Sequence, residues 1–260
     1  MITSLKNDKI RLVQALQRRR RVRQQEQAFV LEGIRLVEEA QRSGFLPHFA
    51  LYTAAIEQNE RGRALLTSLR GAQVPCYEVS ESVMAACSDT ETPQGILVVS
   101  PIPEPALPER PDFILILDRV RDPGNLGTIL RTALAAGVEL VLLAPGTVDA
   151  TNPKVVRAAM GAHLRLPIIS RGWEAIAGAI SHCTVWLASA RGDQLYTSVD
   201  WKQPIALIVG GEAGGAGAQA RALACGEVYI PMTPVVESLN TAVAAAILLF
   251  EVVRQRMGAR

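Results

Sequence analysis

Residues that bind metals are scarce in this chain. Three histidines (His48, His163, His182) and four cysteines (Cys76, Cys87, Cys183, Cys225) are scattered through 260 residues. There is no CxxC pair, so neither a zinc site nor a disulfide framework is expected. Isolated histidines also leave no Ser-His-Asp arrangement to read, and buried or surface imidazoles are the plainer account. No apolar run reaches the eighteen or so residues of a membrane span. The opening residues, Met1 to Lys9, lack the apolar core of a signal peptide. With few cysteines and no export signal, a reducing cytoplasm is the expected location. An apolar share of 49% beside 20% charged residues fits a globular protein of one large or two small domains.

Net charge is only +2, but it is uneven. Residues 1–42 hold ten Lys/Arg against five acids, a surplus of +5 that leaves −3 for the rest. Much of that surplus is the run Arg18, Arg19, Arg20, Arg21 and Arg23, which follows an amphipathic helix opened by Ser4, with Ile10, Val13 and Leu16 on one side. Five arginines in six positions exceed what a helix C-terminus needs for its dipole. They suit the phosphates of a nucleic acid.

The first hundred residues alternate between short apolar strands (29–31, 49–52, 76–79, 96–99) and helical patterns (34–42, 60–70, 82–87), which is a small α/β domain over 1–100. Residues 101–112 carry five prolines between Pro101 and Pro111 and read as a stiff linker. From 113 to 260 the alternation is stronger. Phe113 to Leu117 and Leu140 to Leu143 are continuous apolar runs, as in buried parallel strands. Four more strands are expected at 166–169, 184–188, 205–209 and 228–230. Helices are expected at 125–136, at 153–161 behind Asn152-Pro153, at 173–180 and near 217–225. The fold class is α/β, a parallel sheet with helices on both faces. Ligands of such sheets sit at the carboxyl ends of the strands.

Two strand ends carry informative loops. After Leu117, Pro123-Gly124 makes a turn and Asn125 is placed to cap a helix. Arg131 lies six residues on, 120° round that helix and about 9 Å along it, within reach of its mouth. The loop lacks the Lys-Ser/Thr of a nucleotide P-loop. After Val209, five glycines in the eight residues Gly210 to Gly217 permit close backbone approach to a ligand. Gly215-Ala-Gly-Ala-Gln-Ala220 fits a dinucleotide fingerprint, but the next helix is short and Glu212 at the front would repel a pyrophosphate. A carboxylate in a glycine loop better suits a cationic ligand or an RNA hydroxyl.

The last apolar stretch begins with Ile230-Pro-Met232. Pro231 and Pro234 enforce an extended path, and Ser238 is the expected N-cap of a final helix. Val243, Ala246, Ile247 and Phe250 recur at helical spacing, and the other faces are apolar too. Such a helix is buried on several sides, in a core or against another subunit. A cap explains Ser238 and Glu237. It does not explain Asn240, a weak helix former, read as lying just inside the helix.

Three segments taken together, Asn125 to Arg131 with Ala133, then Gly210-Gly-Glu212, then Ile230-Pro-Met232 with Glu237-Ser-Leu-Asn240, resemble the three motifs of the SpoU (TrmH-like) RNA ribose 2′-O-methyltransferases of the SPOUT class. The match covers 113–256. The first hundred residues look like the RNA substrate-binding domain often attached to that family, and Phe29-Val-Leu-Glu-Gly33 is typical of it. The resemblance implies a C-terminal trefoil knot, a homodimer packed through the knot region, and S-adenosylmethionine as cofactor without a metal. It implies cofactor contacts at Gly210, Gly211, Ile230, Met232 and Leu239, and catalytic roles for Asn125, Arg131, Glu212, Ser238 and Asn240. Because a guanidinium stays charged, Arg131 is expected to stabilise an incipient alkoxide or a phosphate rather than take up a proton. RNA is the implied partner, held by the arginine run with Lys154 and Arg157. Ribosomal RNA is favoured over transfer RNA. A catalytically silent RNA-binding protein and a nicotinamide-dependent oxidoreductase are the rival readings.

Overall fold

The computed structural model describes residues 1–104, 106–212 and 214–258. The elements are α1 (Asp8–Arg18), α2 (Arg20–Glu26), β1 (Ala28–Glu32), α3 (Ile34–Arg42), β2 (Phe49–Tyr52), α4 (Glu60–Gly71), β3 (Cys76–Glu78), α5 (Glu81–Cys87) and β4 (Ile96–Pro101). They continue with β5 (Phe113–Asp118), α6 (Pro123–Ala135), β6 (Leu140–Leu143), α7 (Pro153–Ala159), β7 (Ile168–Ser170), α8 (Trp173–Ala179) and β8 (Thr184–Ala188). Last come β9 (Gln194–Leu195), β10 (Ile205–Gly210), α9 (Ala218–Leu223), β11 (Gly226–Tyr229) and α10 (Thr241–Met257). Two compact units result. Met1–Glu104 with Thr151–Leu164 forms one, and the remaining described residues form the other. The helix expected at 153–161 therefore groups with the first unit, because Val156 and Leu164 join a core with Phe29, Leu31 and Leu36.

In the first unit a four-stranded sheet, ordered β1-β4-β2-β3, is antiparallel except at β2–β3. Apolar side chains fill both faces. Ile10, Val13 and Leu16 of α1 meet Val83, Met84 and Cys87 of α5 on one face. Helices α3, α4 and α7 cover the other. Burial pushes the Cys87 thiol up to about 11, with Arg18 opposing it, so this cysteine is inert packing. Helix α1 starts at Asp8, not behind Ser4. Asn7 is its cap and accepts the Lys9 N–H at 3.0 Å. The arginine run does not merely trail that helix, since Arg20 to Glu26 form α2. Arg18, Arg19, Arg20 and Arg21 are exposed. Arg23 is only 3% exposed and donates to the carbonyl of Leu16 at 2.7 Å and to Thr151 Oγ1 at 3.2 Å. Its expected role as an RNA contact is thereby corrected. A guanidinium spent on an orphan helix carbonyl is structural.

The second unit is one seven-stranded sheet ordered β7-β6-β5-β10-β8-β11-β9, and every pair in it is parallel. The short β9 was not anticipated; two residues are too few to leave a periodic signal. Alternate side chains, such as Ile114, Ile116, Ala206 and Ile208, pack under α8 and α9 with Ile176, Ile180 and Ala220. The opposite faces of the same strands point to the side where α10 packs on α6 and β10. The chain runs outward from β5 through β6 to β7 and resumes on the other side at β8 and β10. The order therefore switches between β5 and β10, where a ligand crevice opens in such sheets. Register aligns Asp118 with Gly210, Val209 with Ala188, and Ala188 with Val228. Four strands thus end side by side and release their loops at one edge.

Candidate active site

Close backbone contacts shape those loops. Arg119, the first residue after β5, takes a left-handed conformation with φ of 57°, uncommon for a residue with a side chain. A Cβ on Gly211 would lie 2.0 Å from the Arg119 carbonyl oxygen, and one on Gly210 would lie 2.3 Å from the Ala216 nitrogen. Only glycine permits this approach, and the loop folds back on itself through a bridge between Gly211 and Gly215.

Two caps differ from expectation. Asp122, not Asn125, caps α6, accepting the Asn125 N–H at 2.8 Å with Pro123 at the first helical position. The Asn125 side chain is thereby free for other partners. Helix α10 begins at Thr241, not near Ser238. Its cap is Asn240, whose Oδ1 accepts from Ala242 at 2.9 Å and Val243 at 3.3 Å. Residues 231–240 stay non-helical behind Pro231 and Pro234. The residue that looked out of place inside a helix is the helix start.

These caps build a polar chain. Asn240 Oδ1 serves α10, so its Nδ2 must donate, and it does so to Asn125 Oδ1 at 3.0 Å. Asn125 Nδ2 in turn donates to Glu212 Oε1 at 2.8 Å, while the Arg121 N–H reaches Oε2 at 3.3 Å. Each amide orientation is dictated by the next, and the chain ends on a group that must be an acceptor. Burial raises the Glu212 pKa. The bonds from Asn125 and from the backbone of Glu212, Arg121 and Asp122 together outweigh it and hold the carboxyl below its ordinary range. Glu212 is therefore an anion at neutral pH.

Beside this chain lies an apolar cavity of about 120 Å³. Its lining includes Val209, Gly210, Ile230, Met232, Leu239 and Leu248. It adjoins a wider groove of about 970 Å³ that contains Glu212, Glu237 and Asn240, and both share Ser189, Gly215, Ser238 and Leu239. An apolar slot whose mouth carries Glu212 and Glu237 beside Arg191 and Arg221 fits a ligand with a flat apolar end and groups of both charges, as S-adenosylmethionine has. It does not fit a dinucleotide. Gly217 N–H, at the start of α9, is already taken by the buried carboxylate of Asp118 at 2.6 Å. A second anion would be repelled there.

Of the residues expected from sequence, Gly210, Ile230, Met232, Ser238 and Leu239 line the inner cavity, and Gly211, Glu212 and Asn240 line the groove. Asn125 joins them through its two hydrogen bonds. Arg131 is exposed on α6 and lines neither space, and its side chain makes no hydrogen bond or ion pair among the described residues. In the first unit Lys154 is exposed at the start of α7, and Arg157 pairs with Asp89 at 2.9 Å. Sequence reading missed the loop after β8, where Ala188, Ser189 and Ala190 line both spaces. Its signal was Gly192, whose Cβ would lie 2.8 Å from the Glu227 carbonyl oxygen. That signal has meaning only once β8 is known to neighbour β11. Among the described residues no group of three or more His, Cys, Asp or Glu is placed to hold a metal ion.

A doubly covered parallel sheet with a cleft at the ends of β8, β10 and β11, beside an Asn–Asn–Glu chain, defines a ligand-binding α/β domain. Residues 112–250 match the family model described as the SpoU rRNA Methylase family, and residues 7–98 match the MRM3-like substrate binding domain. The chain belongs to the SpoU rRNA methylase family. It is 35% identical over 251 residues to the 23S rRNA (guanosine(2553)-2'-O)-methyltransferase RlmP of Bacillus subtilis, covering 96% of this chain and 97% of that one. Among solved structures it resembles the SpoU methyltransferase AviRb of Streptomyces viridochromogenes in complex with the cofactor AdoMet. That match has a TM-score of 0.87 and 29% identity, over 98% of this chain and 100% of that one. It also resembles an AdoMet-bound rRNA methyltransferase of Sinorhizobium meliloti, with a TM-score of 0.84 and 30% identity over 97% of each chain.

Proposed function

We infer that the protein is an S-adenosylmethionine-dependent RNA ribose 2′-O-methyltransferase acting on ribosomal RNA in the cytoplasm. The observation that carries this reading is the hydrogen-bonded chain from Asn240 through Asn125 to Glu212. Its two hydrogen bonds span 87 and 115 residues of sequence and meet at Asn125, beside an apolar cleft. The similarity along nearly the whole chain to a 23S rRNA methyltransferase of Bacillus subtilis favours ribosomal over transfer RNA.

When bound, the cofactor supplies a methyl group activated by the positive charge on its sulfur. The chain's own residues do the rest. Gly210, Ile230, Met232 and Leu239 enclose the apolar end, and Gly211 and Ser238 form the rim. Glu212, fixed as an anion, favours positive charge at the mouth. Asn125 and Asn240 hold that carboxylate and orient the ribose. Arg131 follows Asn125 on α6 with its guanidinium unpaired, and it stabilises the developing charge on the 2′-oxygen or the adjacent phosphate. Arg18, Arg19, Arg20, Arg21 and Lys154 hold RNA phosphates in the first unit.

Two further features belong to this reading. In this reading the chain forms the expected trefoil knot on its path from β11 through 230–240 into α10, and the packing of α10 on α6 and β10 supports it. The outer side of α10 exposes Val243, Phe250 and Met257, seven residues apart and so on one face. That stripe is the homodimer interface.

Titration calorimetry with S-adenosylhomocysteine and, separately, NAD tests the assignment. Saturable binding of the first alone is expected. Binding of NAD alone would support an oxidoreductase, and binding of neither would leave a silent RNA-binding protein.

A further inference from the structure

Asp118 and Arg119 stand outside the residues given a role above, yet both grip the glycine loop that walls the cleft. Asp118 closes β5 and is 2% exposed. Its Oδ2 accepts the Gly217 N–H at 2.6 Å, and its Oδ1 lies 3.6 Å from Arg119 Nε. Arg119 Nη2 donates to the Gly215 carbonyl at 3.2 Å, while its own carbonyl oxygen fills the space a Gly211 side chain would need. The loop is thus packed against at Gly211 and held by hydrogen bonds at Gly215 and Gly217, by the last residue of β5 and the one after it. Gly210 and Gly215 line the inner cavity, so the held backbone is the cavity wall. Helix α9, which follows, has no side-chain cap of its own from Gly217. A carboxylate buried beside a glycine-rich loop is an expensive placement unless it fixes something. The left-handed φ of Arg119 points the same way, because strain of that kind persists where the surroundings impose it.

We propose that Asp118 and Arg119 are positioning residues for the cofactor. They clamp Gly211, Gly215 and Gly217 in the conformation that shapes the cleft, so that binding does not carry the entropy cost of ordering a loop that holds four glycines. This rests on the reading of the cleft as the S-adenosylmethionine site. The clamp acts on Gly211, Gly215 and Gly217 of that wall, while Glu212 is held separately by Asn125 and the Arg121 N–H, so its loss weakens cofactor binding and spares turnover once the site is filled.

The test uses the full chain with Asp118→Asn and Arg119→Gly. The second substitution suits the left-handed backbone and removes only the side chain, so the fold is kept. For Asp118→Asn the S-adenosylhomocysteine Kd is expected to rise roughly tenfold or more, and for Arg119→Gly about three- to tenfold, as loss of charge-assisted hydrogen bonds implies. KM for the cofactor rises in parallel, while kcat at saturating cofactor and RNA affinity stay within about twofold of wild type. Amide hydrogen exchange at Gly215 to Gly217 in the ligand-free chain is expected to quicken in both variants. Cofactor affinity within twofold of wild type in Arg119→Gly, a loss confined to kcat, or unchanged exchange overturns the proposal. If the wild-type chain itself fails to bind S-adenosylhomocysteine, the enzyme assignment fails, and the exchange measurement still decides whether the clamp exists.

Discussion

Asn240 does two things with one side chain, and they can be separated. Its oxygen caps α10 and its nitrogen orients Asn125. Asn240→Asp keeps an acceptor for the cap, and an anion there also suits the helix dipole. It loses the donor and sets a carboxylate against Asn125 Oδ1. Thermal stability close to wild type is expected, with methyl transfer reduced on the order of a hundredfold, as when one oriented dipole is removed from a site. Asn240→Ala loses the cap as well, at a cost of about 1 kcal/mol. Thermal unfolding beside initial rates separates the two effects. An Asn240→Asp variant of full activity would show that the polar chain is only a cap.

The elements that matter are loops whose shape comes from glycine. Gly211→Ala puts a methyl group 2.0 Å from the Arg119 carbonyl oxygen. The loop must move, at a cost of about 1–3 kcal/mol in stability, and cofactor affinity falls with it. Chemical denaturation and calorimetry on that variant measure both; affinity equal to wild type would mean that the loop is not the wall of the site. Such elements were legible from sequence to different depths. Phe113 to Leu117 and Leu140 to Leu143 read as buried parallel strands because a strand covered on both faces needs no polar alternation. The helix starts were misread at α1, α6 and α10, since several cap-forming residues stand close together and only tertiary partners choose among them. Asn125 looked like a cap because nothing local reveals that Asp122 is the cap. The loop after β8 and the grip of Asp118 on Gly217 depend on strand order, which no periodicity encodes. Arg23 looked like its neighbours in the run, and only the return of the chain at Thr151 makes it a buried structural residue.

At the scale of the whole molecule, charge and apolar surface are divided between the two units. The first carries the arginines exposed at 18–21. The second carries the cleft and the outer stripe of α10. Phe250, 48% exposed in the single chain, is the large side chain at the middle of that stripe. Phe250→Glu is expected to convert a dimer into a folded monomer in analytical ultracentrifugation at micromolar concentration. A dimer unaffected by the substitution would place the interface elsewhere. In the proposed reaction the methyl group passes to a sugar oxygen, and Arg131 makes that transfer productive. The direct measurement is to incubate the protein with ribosomal RNA and methyl-labelled S-adenosylmethionine, digest the RNA to nucleosides, and locate the label. It should reside in a single 2′-O-methylated nucleoside, and Arg131→Ala should lose about a hundredfold or more of the rate with S-adenosylhomocysteine affinity kept within about twofold. Label on a base, or full turnover by Arg131→Ala, would contradict it.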